Sequence, residues 1–70
     1  MMGWASGSSL MIDVITGLKE RGMSLKNRKI VYEVLIPAMQ DQDWDTLDEP
    51  MGMDEAYEAA MRTINPEWFE

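Results

Sequence analysis

Three aspartates stand at alternate positions in the middle of the chain, Asp41, Asp43 and Asp45. This spacing opens the calcium-binding loop of EF-hand proteins, in which positions 1, 3 and 5 supply oxygen ligands. The rest of that loop is missing, because position 6 should be glycine and is Thr46, and position 12 should be glutamate and is Gly52. We therefore predict no specific metal site, and calcium binding at the three aspartates is the weaker alternative.

The same aspartates belong to a longer acidic region that offers binding chemistry. Residues 41–58 hold eight acidic residues, no basic residue and one tryptophan. Clustered carboxylates attract a basic partner and speed its association, and tryptophan is enriched at interface hot spots. The predicted partner-binding residues are Asp41, Asp43, Trp44, Asp45, Asp48, Glu49, Asp54, Glu55 and Glu58. The alternative is that the acids only face water and that Trp44 fills the core, which we favour for this tryptophan alone.

Composition excludes most enzyme chemistry. The 70 residues include no cysteine and no histidine, so disulfides, zinc sites built on those residues and Ser-His nucleophile pairs are all impossible. Residues 17–24 have the glycine spacing of a phosphate-binding loop but lack its lysine. We predict a non-enzymatic protein without a cofactor.

Charge divides the chain into two unlike parts. Residues 1–40 carry five basic and three acidic residues, whereas residues 41–70 carry ten acidic residues and only Arg62 as a base. With a net charge of −7, the chain lacks the basic footprint that phosphate binding requires, so nucleic acid is not an expected partner. The sequence shows no signal peptide and no membrane span, which predicts a cytoplasmic protein with no membrane partner.

Apolar residues recur at helical spacing in three segments and predict an all-α fold. We expect a single small domain over residues 1–70 with helices near 9–21, 25–40 and 54–64, an N-terminal arm at 1–8 and a C-terminal tail at 65–70 that folds back. Trp44 and Trp68 should close the edges of the core.

Local signals mark the ends of these helices. Ser8 or Ser9, Ser24 and Asp54 are the expected N-caps, and Gly22 is a C-terminal stop. Thr46 to Glu49 fits the capping-box pattern of a single helical turn. Pro37 should kink the central helix, which then resumes to about Gln40; a helix that ends near Leu35 is the alternative.

The central helix has more apolar surface than one core face requires. Its aliphatic and aromatic residues wrap most of the circumference: Ile30, Val31, Tyr32, Val34, Leu35 and Ile36. A helix of this kind can be buried on two sides, which makes a homodimer possible. A monomer with some exposed aliphatic side chains is the alternative.

Several short segments of the sequence resemble one protein family. Gly3 to Ser8 (Gly-Trp-Ala-Ser-Gly-Ser), Leu35-Ile36-Pro37, and Asp43 to Thr46 (Asp-Trp-Asp-Thr) with Asp48-Glu49 are similar to short acidic proteins of phages, prophages and some bacteria. The family carries no known activity, so the resemblance transfers no catalytic residue. It implies a phage context, in which small acidic proteins often bind and modulate a host protein.

These observations favour a protein-interaction module that uses an acidic surface against a basic protein. A variant of this function is mimicry of DNA phosphates to block a DNA-binding protein. A small structural homo-oligomer is the second hypothesis, and an enzyme with paired carboxylates is the third, since so short a chain has little room for both a core and a pocket.

Overall fold

A computed structural model describes residues 6–69, and within them the chain is all-α, as predicted. Helix α1 spans Gly7–Glu20, α2 spans Leu25–Gln40 and α3 spans Glu55–Ile64, followed by a 3-10 turn at Pro66–Phe69. Residues 1–5 and 70 lie outside the described part, and most of the predicted N-terminal arm falls there.

Helix α1 begins two residues earlier than expected and without the predicted cap. Ser6 stands at the N-cap position with no side-chain hydrogen bond, and Ser8 is inside the helix. The serine N-cap prediction was wrong because the Ser8 hydroxyl points to Thr46 across the molecule instead. The predicted stop at Gly22 is confirmed: this residue has a positive φ of 75°, and Met23 N–H donates to the Leu18 carbonyl at 3.2 Å, which closes a Schellman motif.

Helix α2 has the predicted bounds and the predicted cap. The Ser24 hydroxyl accepts a hydrogen bond from the Asn27 N–H, and the helix continues through Pro37 to Gln40. The alternative of a helix that ends near Leu35 was therefore wrong. The kink at Pro37 stays a prediction.

The core lies mainly between α2 and α3. The rings of Tyr32 and Tyr57 meet edge to face, with centroids 5.9 Å apart and planes at 67°. Met11 and Ile15 bring α1 to the same core. The other buried members of the core are Ile36, Met39, Trp44, Leu47, Ala56, Ala60 and Met61.

The C-terminal tail folds back, but through a different aromatic residue than expected. Phe69 packs against the core, and the Arg62 guanidinium lies 4.6 Å from the centre of its ring. Trp68 remains 41% exposed, so the prediction that it closes an edge of the core was wrong. Phe69 occupies that role, because the 3-10 turn directs its side chain, not that of Trp68, toward the body.

Candidate functional site

Residues 41–49, here called the acidic segment, follow α2 and have an inner and an outer side. On the inner side, Trp44 is 2% exposed and Leu47 is 3% exposed. The Trp44 indole N–H lies 3.0 Å from the Ser8 hydroxyl and 3.1 Å from that of Thr46. Tyr57 donates its O–H to the Leu47 carbonyl at 2.7 Å. The segment is thus fixed to both α1 and α3, and the preference for Trp44 in the core is confirmed.

The start of the acidic segment is a helix terminus of uncommon composition. Trp44 N–H donates to the Met39 carbonyl at 3.2 Å and Asp43 N–H donates to the Gln40 carbonyl at 3.0 Å. This is again the Schellman pattern, in which the left-handed position is usually glycine. Here that position is Asp43, with φ of 68°.

The predicted capping box at Thr46 does not form. Residues 47–52 are turns rather than helix, and the Thr46 hydroxyl is 2.7 Å from the Ser8 hydroxyl. Its hydrogen-bonding capacity is therefore used in tertiary contacts. The local pattern predicted the wrong partner for Thr46, because its hydroxyl bonds to Ser8 of α1 and not to a backbone N–H near it in the chain.

The outer side of the acidic segment is a row of solvent-facing carboxylates. Its five members are all exposed: Asp41, Asp43, Asp45, Asp48 and Glu49. Within residues 6–69 the ion pairs are Arg28–Asp54 and Lys29–Glu33, and neither involves this row. The described part of the chain also gathers no group of three or more acids suited to a metal ion.

In contrast to the exposed carboxylates of the outer row, the Asp54 side chain is buried. Its carboxylate accepts from Arg28 Nε at 2.8 Å and Nη2 at 3.1 Å, and from the Tyr32 hydroxyl at 2.8 Å. It also accepts from the Ala56 N–H at 3.0 Å, which confirms the predicted N-cap. Arg28 further donates to the Met23 carbonyl, so Arg28 and Asp54 together connect α2, α3 and the turn after α1.

The environment of Asp54 determines its charge state. Burial alone would raise the pKa of Asp54, but hydrogen bonds from Arg28, Tyr32 and Ala56, together with the charge of Arg28, lower it below the ordinary value of 3.8. The hydrogen bond to Asp54 raises the pKa of Arg28. Burial and the bond to Asp54 raise the pKa of Tyr32, which keeps its hydroxyl a donor.

The structure divides the nine predicted partner-binding residues into two groups. Besides the five acids of the outer row, Glu55 is exposed and Glu58 is half-buried. Glu58 accepts from the Gly52 N–H at 2.9 Å, so it also holds a turn. Trp44 and Asp54 are buried, and a partner cannot reach them in this conformation. Sequence reasoning missed Arg28 and Tyr32, because they precede Asp54 by 26 and 22 residues and no local pattern connects them.

A second surface with no partner among residues 6–69 lies on α2, on the side turned away from Tyr32. Ile30 is 52% exposed and Val34 is 70% exposed. Together with Val31, Leu35 and Ala38 they line a shallow groove of about 370 Å³. This is the apolar surplus that the sequence of the central helix indicates.

No helix within residues 6–69 is long and apolar enough to cross a membrane. No protein-family model, no curated protein and no solved structure shows significant similarity to the chain, so the resemblance to acidic phage proteins stays a prediction.

Proposed function

We propose that this protein is a non-enzymatic interaction module that binds a protein with a basic surface through the outer carboxylates of the acidic segment. The observation that carries the proposal is the contrast across that segment. Its inner side is fixed by Trp44, while its outer row has no cationic partner among the described residues. Carboxylates held in this way present a preorganised surface, which lowers the entropic cost of binding.

The position of the row supports a role other than stability. Negative charges at the carboxyl end of a helix oppose its dipole, and the last turn of α2 contains no basic residue to offset Asp41 and Asp43. Asp43 also occupies a left-handed backbone position that glycine fits better. Residues that are unfavourable for local structure tend to occur at functional sites. A basic partner would neutralise the charges of these aspartates.

In the phage context that the sequence suggests, the partner is a host protein in the cytoplasm. If the partner is a DNA-binding protein, the acidic row would compete with DNA phosphates. This narrower form of the proposal predicts that added duplex DNA displaces the module from its partner.

Affinity capture from a lysate of the host cell tests the proposal. The test variant carries Asp43→Asn, Asp45→Asn and Asp48→Asn, all at exposed positions. The matched control carries Asp13→Asn, Glu20→Gln and Glu67→Gln, which remove the same charge from exposed positions elsewhere. We expect the control to retain the captured protein and the test variant to lose it.

Binding of the purified partner then gives the quantitative result. Its affinity should fall steeply as salt rises, because screening weakens contacts between exposed charges. Equal capture by the test variant and the control, or salt-independent binding, would show that the acidic row is not the contact surface.

A further inference from the structure

The apolar face of α2 has opposite charges at its two ends. Lys26, Ile30, Val34 and Ala38 stand four residues apart, so they form one row along the helix. Asp41 follows Val34 by seven residues, two turns further on. The row therefore begins with an exposed lysine, passes over the exposed aliphatic groove and ends at an exposed aspartate.

We propose that this face binds a second copy of the chain, with the two α2 helices antiparallel about a two-fold axis that passes near Val34. In such an interface the same patch serves both subunits and must be complementary to itself. Lys26 lies eight residues before Val34 and Asp41 lies seven residues after it. The axis consequently places the basic end of each helix against the acidic end of the other.

Charge decides between this arrangement and a parallel one. A parallel pair would place Asp41 beside Asp41 and the negative ends of the two helix dipoles together. The antiparallel pair gives two Lys26–Asp41 contacts and opposed dipoles. Lys26 belongs to neither of the ion pairs within residues 6–69, whereas Arg28 and Lys29 are engaged with Asp54 and Glu33.

The apolar part of the face supplies the attraction. Ile30 and Val34 are more than half exposed, and removing this apolar surface from water favours association. Ala38 is small, so it lets the facing Ile30 approach across the axis. A single helix pair is at the low end of interface sizes, and we expect a dissociation constant in the micromolar range.

This inference goes beyond the proposed function, since it concerns the α2 face and needs only the protein itself. Sedimentation equilibrium of the full chain from low micromolar to millimolar concentration measures it. We expect a monomer–dimer equilibrium for the wild type and a monomer for Val34→Glu, which places two carboxylates at the axis. Thr16→Glu, on an exposed position of α1, is the matched control and should dimerise like the wild type.

Charge reversal tests the orientation. Lys26→Glu and Asp41→Lys should each weaken the homodimer, because each change brings two like-charged contacts together. When the two variants are mixed, both contacts become complementary again, so a heterodimer with an affinity near that of the wild type is expected. In a parallel pair each of these positions faces its own counterpart, so both single variants would dimerise about as well as the wild type and the mixture would bind more tightly than the wild type.

Each result has a definite meaning. A wild type that stays monomeric, or a Val34→Glu variant that still dimerises, overturns the interface. Single charge variants that dimerise as well as the wild type, or a mixture without restored affinity, overturn the antiparallel orientation. A monomer would leave the acidic row free to bind a basic protein, and the capture experiment uses Asp43, Asp45 and Asp48 rather than Lys26, Val34 or Asp41. The two proposals can thus fail separately.

Discussion

Asp54 and Asp43 are both aspartates beside the end of a helix, but their surroundings are opposite. Asp54 precedes α3, where its carboxylate caps the helix and pairs with Arg28 in the interior. Asp43 follows α2, faces water and has a positive φ. The Asp54 carboxylate is therefore favoured by the helix dipole, by its backbone conformation and by a charged neighbour. None of these three favours the carboxylate of Asp43.

The difference shows where this chain concentrates its stability. With no disulfide available, the side-chain hydrogen bonds that tie the helices together include those of Arg28, Asp54 and Tyr32 and those that anchor Trp44. The outer carboxylates can be replaced at little structural cost. A surface with such freedom is suited to binding, while the inner network is suited to holding that surface in place.

The largest effect should follow the loss of the Asp54 carboxylate. Asp54→Ala leaves the Arg28 guanidinium and the buried Tyr32 hydroxyl without their partner and removes the cap of α3. We expect a loss of about 3–5 kcal/mol in the free energy of unfolding, measured by urea denaturation. A chain of this length has about 3–10 kcal/mol in total, so the variant should be largely unfolded or close to it.

Asp54→Asn keeps the shape of the side chain and serves as the milder variant. It retains an oxygen that can accept at the helix N-terminus but loses the charge that pairs with Arg28, and should cost about 2 kcal/mol. Asp43→Asn is the control with the same chemical change and should cost nothing. Equal losses at positions 43 and 54 would contradict the contrast between the two aspartates.

The dependence of stability on pH should separate the two aspartates next. The folded state lowers the pKa of Asp54 below 3.8, so its stabilisation is complete above the unfolded value and is lost as the pH falls toward the folded one. The difference in free energy of unfolding between the wild type and Asp54→Asn should be constant from neutral pH to about pH 5 and shrink below that. Urea titrations at a series of pH values measure it; a difference that grows toward acid pH would mean that the pKa of Asp54 is raised.

Local sequence signals predicted most of the fold. Helical spacing placed α2 at its observed bounds, and the caps at Ser24 and Asp54 and the stop at Gly22 are as expected. These features depend on residues a few positions apart, which a sequence displays directly. The start of α1 escaped prediction because Ser8 bonds to Trp44 and Thr46, more than thirty positions away.

The candidate site was predictable only in part for the same reason. The acidic composition of residues 41–58 is evident in the sequence, but exposure is not. Trp44 and Asp54 turn inward because partners from α1 and α2 satisfy their polar groups, and Asp43 turns outward because it sits at the left-handed residue of a Schellman motif. Each of these depends on a tertiary contact or a backbone dihedral angle that no residue pattern specifies.

The smallest effect should come from Asp43 itself, and its sign is opposite to that of Asp54. Asp43→Gly relieves the left-handed backbone and removes a negative charge from the carboxyl end of α2, while glycine adds freedom to the unfolded chain. The net result should be a gain of about 0.5–1 kcal/mol in the free energy of unfolding, seen as a higher urea midpoint with an unchanged slope.

Asp45→Gly is the matched control: it removes the same charge two residues later, where φ is not positive, and should lower the midpoint. If both glycine variants shift the midpoint alike, charge rather than backbone geometry sets the cost of an aspartate at position 43. A gain at position 43 alone would show that the chain keeps a less stable residue where its carboxylate faces solvent.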